Sequence, residues 1–310
     1  MLCEHRKTDI LPCNWWDKEH KVCKHPKMFR CPEAIKANGA QLSHSSIQAY
    51  TRCRRCFYYY YILGLELIDK AVPLYIGEFG HGVLRKLHTP DTNLNIDQYI
   101  RDNFQKDESY ELAQSVLQVK CLLEIYQESG LNEPKGEVEK EWIMNDPSLT
   151  GYIDMVDDTR GFEWKITTNP NYYTLYTMED QLGTYFLGNP DKEKAFVRTF
   201  NRPTLRRGKN EKEKDYEERI KQDVRRRPSH YFKEDTYYRH EINLEAVRKR
   251  AIYIMNEIQS LLNDTVEDAF YQNKSSCFNP PCQYLSICQS QGIISYDLYK
   301  KRERKEEDNE

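Results

Sequence analysis

No stretch of this 310-residue sequence approaches the roughly 18 consecutive apolar residues that a membrane-spanning helix needs. The opening Met-Leu-Cys-Glu-His-Arg-Lys likewise lacks the apolar core of a signal peptide. A chain without either is expected in the cytoplasm, with no membrane partner. An excess of charge of one sign is also missing, since the formal net charge is −3. That balance neither advertises a nucleic-acid binder nor excludes one, because an enzyme can gather Lys and Arg on one face while the mean stays near neutral. With 31% charged against 39% hydrophobic residues, long solvated helices around a substantial core are expected.

What the sequence does have is ten cysteines. In a reducing compartment stable disulfides are not expected, so clustered thiols point to metal. Residues 1–40 form a small Cys/His-rich extension in which Cys-Glu-His at 3–5 and Cys-Lys-His at 23–25 are each followed by another cysteine. Zinc held by four of these six side chains, with Cys3, Cys13, Cys23 and Cys31 as the thiolates, is one expectation. The spacing matches no standard zinc finger, so cysteines put to another use are the other. Cys121 lies in an apolar helical pattern and reads as core. Cys277, Cys282 and Cys288 sit in a proline-containing loop and are one thiolate short of a four-thiolate site, the nearest fourth lying upstream. Residues 291–310 read as a charged, disordered tail.

The stretch Gly151–Lys165 reads as two strands joined by a polar turn at Asp157–Gly161. Strand alternation puts Phe162, Trp164 and Ile166 on one face and Glu163 and Lys165 on the other. Asp154 shares a face with Tyr152 and Val156, and a register that sets it beside Glu163 brings two carboxylates and an ammonium together. Such donors suit a hard divalent cation, Mg²⁺ or Mn²⁺; the plainer alternative is an exposed hairpin with a Glu/Lys surface pair. His81, in Gly77-Glu-Phe-Gly-His81, is a third candidate ligand or a structural histidine. Around this hairpin the periodicity predicts a helix from Leu42, capped by Ser43 or Ser45, whose run Tyr58–Tyr61 reads as packing ahead of base stacking. It further predicts a helix over 71–88, two between 95 and 130, a strand at 137–144, a helix at 172–187 carrying Gln181 and Tyr185 on one face, a strand at 194–200 and a helix at 242–262. The charged run 204–227 reads as a solvated helix whose arginine-rich ends could grip DNA.

Taken together, these segments resemble the RecB-like branch of the PD-(D/E)xK nucleases, and within it the iron-sulfur exonucleases similar to CRISPR-associated adaptation nucleases, the AddB nuclease domain and phage homologues. Gly77-x-x-x-His81, Gly151-Tyr-Ile-Asp154, Glu163-Trp-Lys165 and Gln181-x-x-x-Tyr185 match the family's four motifs in order. The resemblance implies an α/β restriction-endonuclease-like core over 41–290, with a central mixed sheet flanked by helices and closed by a four-cysteine cluster. It implies metal ligation by His81, Asp154 and Glu163, a catalytic Lys165, and Gln181 and Tyr185 positioning the DNA backbone and reacting phosphate. It also implies a [4Fe-4S] cluster on Cys53, Cys277, Cys282 and Cys288, with Cys56 a competitor and zinc the alternative metal, because Cys277-x4-Cys282 is longer than the usual spacing. The activity implied is metal-dependent DNA exonuclease action on single-stranded or frayed ends in recombination, repair or phage replication, in the host cytoplasm if phage-encoded and alongside recombination or replication proteins. End trimming in CRISPR adaptation and a catalytically silent DNA-binding scaffold are the alternatives.

Overall fold

The structure, a computed structural model, describes residues 16–17, 22–23, 42–68, 71–92, 94–103, 109–131, 135–145, 148–157, 160–262, 269–278, 282–289 and 298–301. Cys3, Cys13 and Cys31 lie outside these residues, and of Cys23 only the backbone is described, so the zinc expectation for the extension falls outside them. The chain divides into two compact units, one of residues 1–69 with 249–310 and one of residues 70–248. The stretch 41–290, expected as a single domain, is thus shared between the two.

In the first unit, β1 (Trp16–Asp17) pairs antiparallel with β2 (Val22–Cys23). Next comes α1 (His44–Arg52), capped by Ser43, whose hydroxyl accepts the Ser46 N–H while the Ser46 hydroxyl accepts the Ser43 N–H. The helix breaks at Cys53, which is extended, and resumes in the short α2 (Arg54–Phe57) before a wide turn through Tyr58–Ile62. That turn drives Tyr58 and Tyr59 inward, onto Phe270 (ring centroids 5.1 Å apart) and Tyr284 (5.4 Å). Buried rings cannot stack on bases, so these two tyrosines serve packing. Strand β3 (Leu65–Leu67) pairs antiparallel with Tyr299–Lys301. Part of the stretch expected as a disordered tail is therefore a strand, because Tyr299 buries its ring against Tyr284 and its hydroxyl donates to the Gln283 carbonyl at 2.6 Å.

The second unit is built on a five-stranded sheet. Three helices lead in, α3 (Val72–His88), α4 (Ile96–Asn103) and α5 (Tyr110–Glu128), followed by β4 (Glu137–Asn145), β5 (Ser148–Val156) and β6 (Gly161–Thr167). After β6 come α6 (Leu175–Gly188), β7 (Lys194–Asn201), α7 (Glu213–Arg226), a single turn α8 (Pro228–Tyr231) and β8 (Phe232–Tyr238). The strands lie in the order β4-β5-β6-β7-β8, antiparallel except where α6 crosses over to make β6 and β7 parallel. This is the restriction-endonuclease-like α/β arrangement, a mixed sheet flanked by helices.

The two faces of β6 meet different helices. Phe162 and Trp164 join the core formed with Phe79, Val83 and Leu84 of α3 and Val119, Leu122 and Leu123 of α5. Gly80 lets α3 settle directly on Ile166, since any Cβ there would collide with that side chain. On the other face Gly161 makes room for the Tyr185 ring of α6. Glu163 and Lys165, sharing that second face, therefore point toward the α6 layer.

Two elements depart from the sequence reading. Helix occupies only 213–226 of the charged run, and it is not simply solvated: Tyr216, Ile220 and Val224, spaced four apart, are fully buried in the core. Strand β8, not anticipated, is an edge strand whose Lys233, Glu234 and Asp235 disguise its period-two pattern and protect its open edge. Among the described residues, no helix is long and apolar enough to cross a membrane.

Candidate active site

The site is organised by an interruption of the sheet. The β5/β6 ladder consists of Val156↔Gly161 and Met155↔Phe162 and stops there, although one further step would set Asp154 opposite Glu163. On the other side, the β4/β5 register runs from Val138↔Met155 to Lys140↔Ile153 and skips the step between them, Glu139 opposite Asp154. Glu139 sits in the left-handed region (φ +50°), a conformation that costs a non-glycine residue about 1 kcal/mol or more. Asp154 is thus released from regular pairing on both sides. Its carboxylate takes over what the ladder gives up, accepting the Trp164 N–H at 2.7 Å.

Helix α3 closes the gap from one layer. His81 places Nδ1 3.1 Å from Asp154 Oδ1, and one turn later Arg85 makes an ion pair with the strained Glu139. From the opposite layer, Gln181 of α6 donates its amide N–H to Glu163 Oε1 at 2.6 Å, while its carbonyl accepts from Lys165 Nζ at 3.1 Å. Lys165 Nζ also donates to Glu163 Oε1 at 2.6 Å and lies 5.8 Å from the Tyr173 ring. His81, Asp154, Glu163 and Lys165 keep between 17% and 32% of their side-chain surface exposed, so the cluster is open to a solute.

Charges in the cluster shift one another. Burial raises the Asp154 carboxyl, but His81 and the Trp164 N–H outweigh it and hold the group below its ordinary range. For Glu163 burial wins, and it is raised despite Lys165. Burial would lower Lys165, yet Glu163 and then Asp154 raise it, so the side chain remains an ammonium. Burial likewise works against His81⁺, and the Asp154 carboxylate more than restores it. By donor type, one imidazole and two carboxylates suit a hard divalent cation, although the three ligand atoms do not all lie within 4.8 Å of one another.

Tyr185 is not part of the cluster. Its ring is buried against Gly161, and its hydroxyl has no hydrogen-bond partner among the described residues. Tyr185, expected to position a phosphate, thus packs against Gly161 apart from the carboxylates. Sequence periodicity placed Gln181 and Tyr185 on one helix face but could not show that one end of that face opens on the carboxylates and the other on packed backbone. Three participants escaped the sequence reading altogether: Glu139, Arg85 and Tyr173. Only Tyr173, in an aromatic pair just beyond the Lys165 strand, left a visible signal.

Within the first unit, the thiols gather independently. Cys56 Sγ lies 3.1 Å from Cys282 Sγ, and Cys53 Sγ accepts the Asn273 N–H at 3.4 Å. The Cys56 thiol holds Cys53 down to about 5 and Cys282 to about 7, while burial pushes Cys288 up to about 12 and also raises Cys277. Of these five thiols only Cys53 and Cys282 are easily ionised, since Cys56 is also raised. Elsewhere, Cys121, Glu124 and Glu217 also approach one another, but Lys120 and Lys221 pair with both carboxylates, so that group is an ion-pair network.

No curated protein matches the sequence. A crystal structure of a presumed exonuclease from Eubacterium rectale is similar over 84% of this chain and 91% of its own, at 10% identity and a TM-score of 0.48. The profile of the PD-(D/E)XK nuclease superfamily matches residues 41–289, a span that contains the interrupted strand, the Glu163-Trp-Lys165 segment and both flanking helices. The chain belongs to the PD-(D/E)XK nuclease superfamily.

Proposed function

We propose that the protein is a metal-dependent DNA exonuclease acting on single-stranded or frayed ends in recombination, repair or phage replication. The observation that carries this reading is the convergence of Asp154, Glu163, Lys165 and Gln181, with His81, at the sheet interruption. His81, Asp154 and Glu163 would hold Mg²⁺ or Mn²⁺, which when bound polarises the scissile phosphoryl group and lowers the pKa of the attacking water. The remaining work falls to the chain. Asp154 is held by the Trp164 N–H before substrate arrives, which limits reorganisation at the moment of reaction. Lys165, as an ammonium steered by Glu163 and Gln181, counters negative charge growing on the phosphate oxygens. Hydrolysis adds the water oxygen to phosphorus, and the departing sugar oxygen leaves with a proton.

On the same reading, Cys53, Cys277, Cys282 and Cys288 hold a structural [4Fe-4S] cluster, with Cys56 close enough to Cys282 to compete for it. The test uses linear and covalently closed circular single strands with Mn²⁺, with EDTA and with Lys165→Ala, while the iron content of anaerobically purified protein checks the cluster. Linear strands should be degraded with Mn²⁺ alone, circles spared, and the variant slowed about 100-fold or more. Cutting of circles would refute the exonuclease assignment, and cutting in EDTA the metal dependence.

A further inference from the structure

The segment that joins β6 to α6 leaves Lys165 behind by only a few residues and is unusually aromatic. Pro170–Tyr172 form a single tight turn, and Thr174 begins α6 in a capping box with Thr177, the Thr174 N–H donating to Thr177 Oγ1 at 3.0 Å. Three tyrosines project from this frame. Tyr173 turns inward toward the Lys165 ammonium, and its backbone carbonyl is anchored by the Tyr237 hydroxyl at 3.1 Å. Tyr172 meets the Tyr173 ring edge to face, with centroids 5.3 Å apart, and is 54% exposed. Tyr176, in the first turn of α6, is 89% exposed.

Large rings left in water on a backbone held by a cap and a hydrogen bond from Tyr237 are poorly explained by folding. Burial would have been favourable by about 25 cal/mol per Å² of apolar surface, and at 89% exposure Tyr176 contributes little to the packing of α6 among the described residues. What such rings offer is a flat, rigid, polarisable face. Every nucleobase presents a π-face of the same kind once it is unpaired, whereas in an intact duplex those faces are taken up by neighbouring pairs.

We propose that Tyr172 and Tyr176 form a stacking platform for unpaired bases, with Tyr173 linking that platform to Lys165, so that the site selects single-stranded nucleic acid at the position next to the scissile phosphate. The proposal rests on the nuclease reading and deepens it by assigning the preference for single strands to named side chains. Tyr172 and Tyr176 are positioning residues. They touch the bases, and the phosphate chemistry stays with the carboxylates and Lys165.

The test is equilibrium binding of a fluorescent single-stranded oligonucleotide and of a blunt duplex to the full-length protein, in EDTA so that no hydrolysis intervenes. Tyr172→Ala/Tyr176→Ala is compared with Tyr172→Phe/Tyr176→Phe, and circular dichroism establishes that each is folded. The alanine pair should bind the single strand about tenfold or more weakly, with duplex binding changed by less than about twofold, and the phenylalanine pair should restore single-strand binding, because stacking needs the ring and not the hydroxyl. Equal single-strand binding by the alanine pair and the wild type would overturn the platform, as would a loss shared equally by duplex and single strand. These outcomes are separable from the parent reading: a wild-type protein that binds single strands through the tyrosines but hydrolyses nothing in Mn²⁺ keeps the platform and loses the nuclease.

Discussion

At the scale of single residues, the site depends on Asp154 being released from the sheet. Strand alternation alone told that Glu163 and Lys165 share a face and that Asp154 could fall beside them. It could not tell that the ladder breaks on both sides of Asp154; on the β4 side the break falls at Glu139, which adopts a left-handed backbone 15 residues earlier. Tyr185 shows the opposite case. Its i,i+4 relation to Gln181 was legible, whereas its burial against Gly161 depends on how closely α6 approaches β6. A buried hydroxyl with no hydrogen-bond partner among the described residues costs stability. Tyr185→Phe should therefore keep DNA hydrolysis within about twofold of wild type and leave stability equal or higher by up to about 1 kcal/mol. A chemical-denaturation curve and an initial-rate assay check both, and a large loss of rate in this variant would return Tyr185 to the phosphate.

At the scale of elements, the helix α7 carries the clearest lesson. Its sequence is so rich in charge that the apolar stripe Tyr216-Ile220-Val224 is easily overlooked, and two of its half-buried charged residues, Glu217 and Lys221, pair with α5. Lys120 of α5 pairs with Glu217 at 2.9 Å and Asp97 at 2.7 Å, and Lys221 pairs with Glu124 at 2.8 Å and Glu217 at 3.0 Å. Burial would raise Glu217, but hydrogen bonds from the two lysines lower it below the ordinary carboxylate value. A carboxyl lowered in the folded state adds stability that is present above its unfolded pKa of about 4.3 and lost as pH falls through the folded value. Thermal melts of the wild type should therefore fall more steeply below about pH 4.5 than those of Glu217→Gln. Near neutral pH, Glu217→Gln should cost about 1–2 kcal/mol, a figure held down because Glu217 is partly exposed to solvent. Parallel pH profiles for the two proteins would show that the network does not couple α5 to α7.

At the scale of the molecule, two chemistries occupy two units: hard oxygen and imidazole donors in residues 70–248, and soft thiols in the unit made of residues 1–69 and 249–310. Most elements of the sheet unit were legible, because amphipathic helices and alternating strands announce themselves locally. The division of the chain was not, since it joins segments nearly 200 residues apart. Nor was the edge strand β8, whose exposed charged positions conceal the alternation. The central claim is that Asp154 and Glu163 share one divalent cation, and calorimetric titration of Mn²⁺ into the wild type, Asp154→Asn and Glu163→Gln tests it directly. Wild-type protein should bind a single hard-donor Mn²⁺, and each variant should bind it at least about tenfold more weakly while remaining folded. Equal Mn²⁺ affinity in all three proteins would contradict the account.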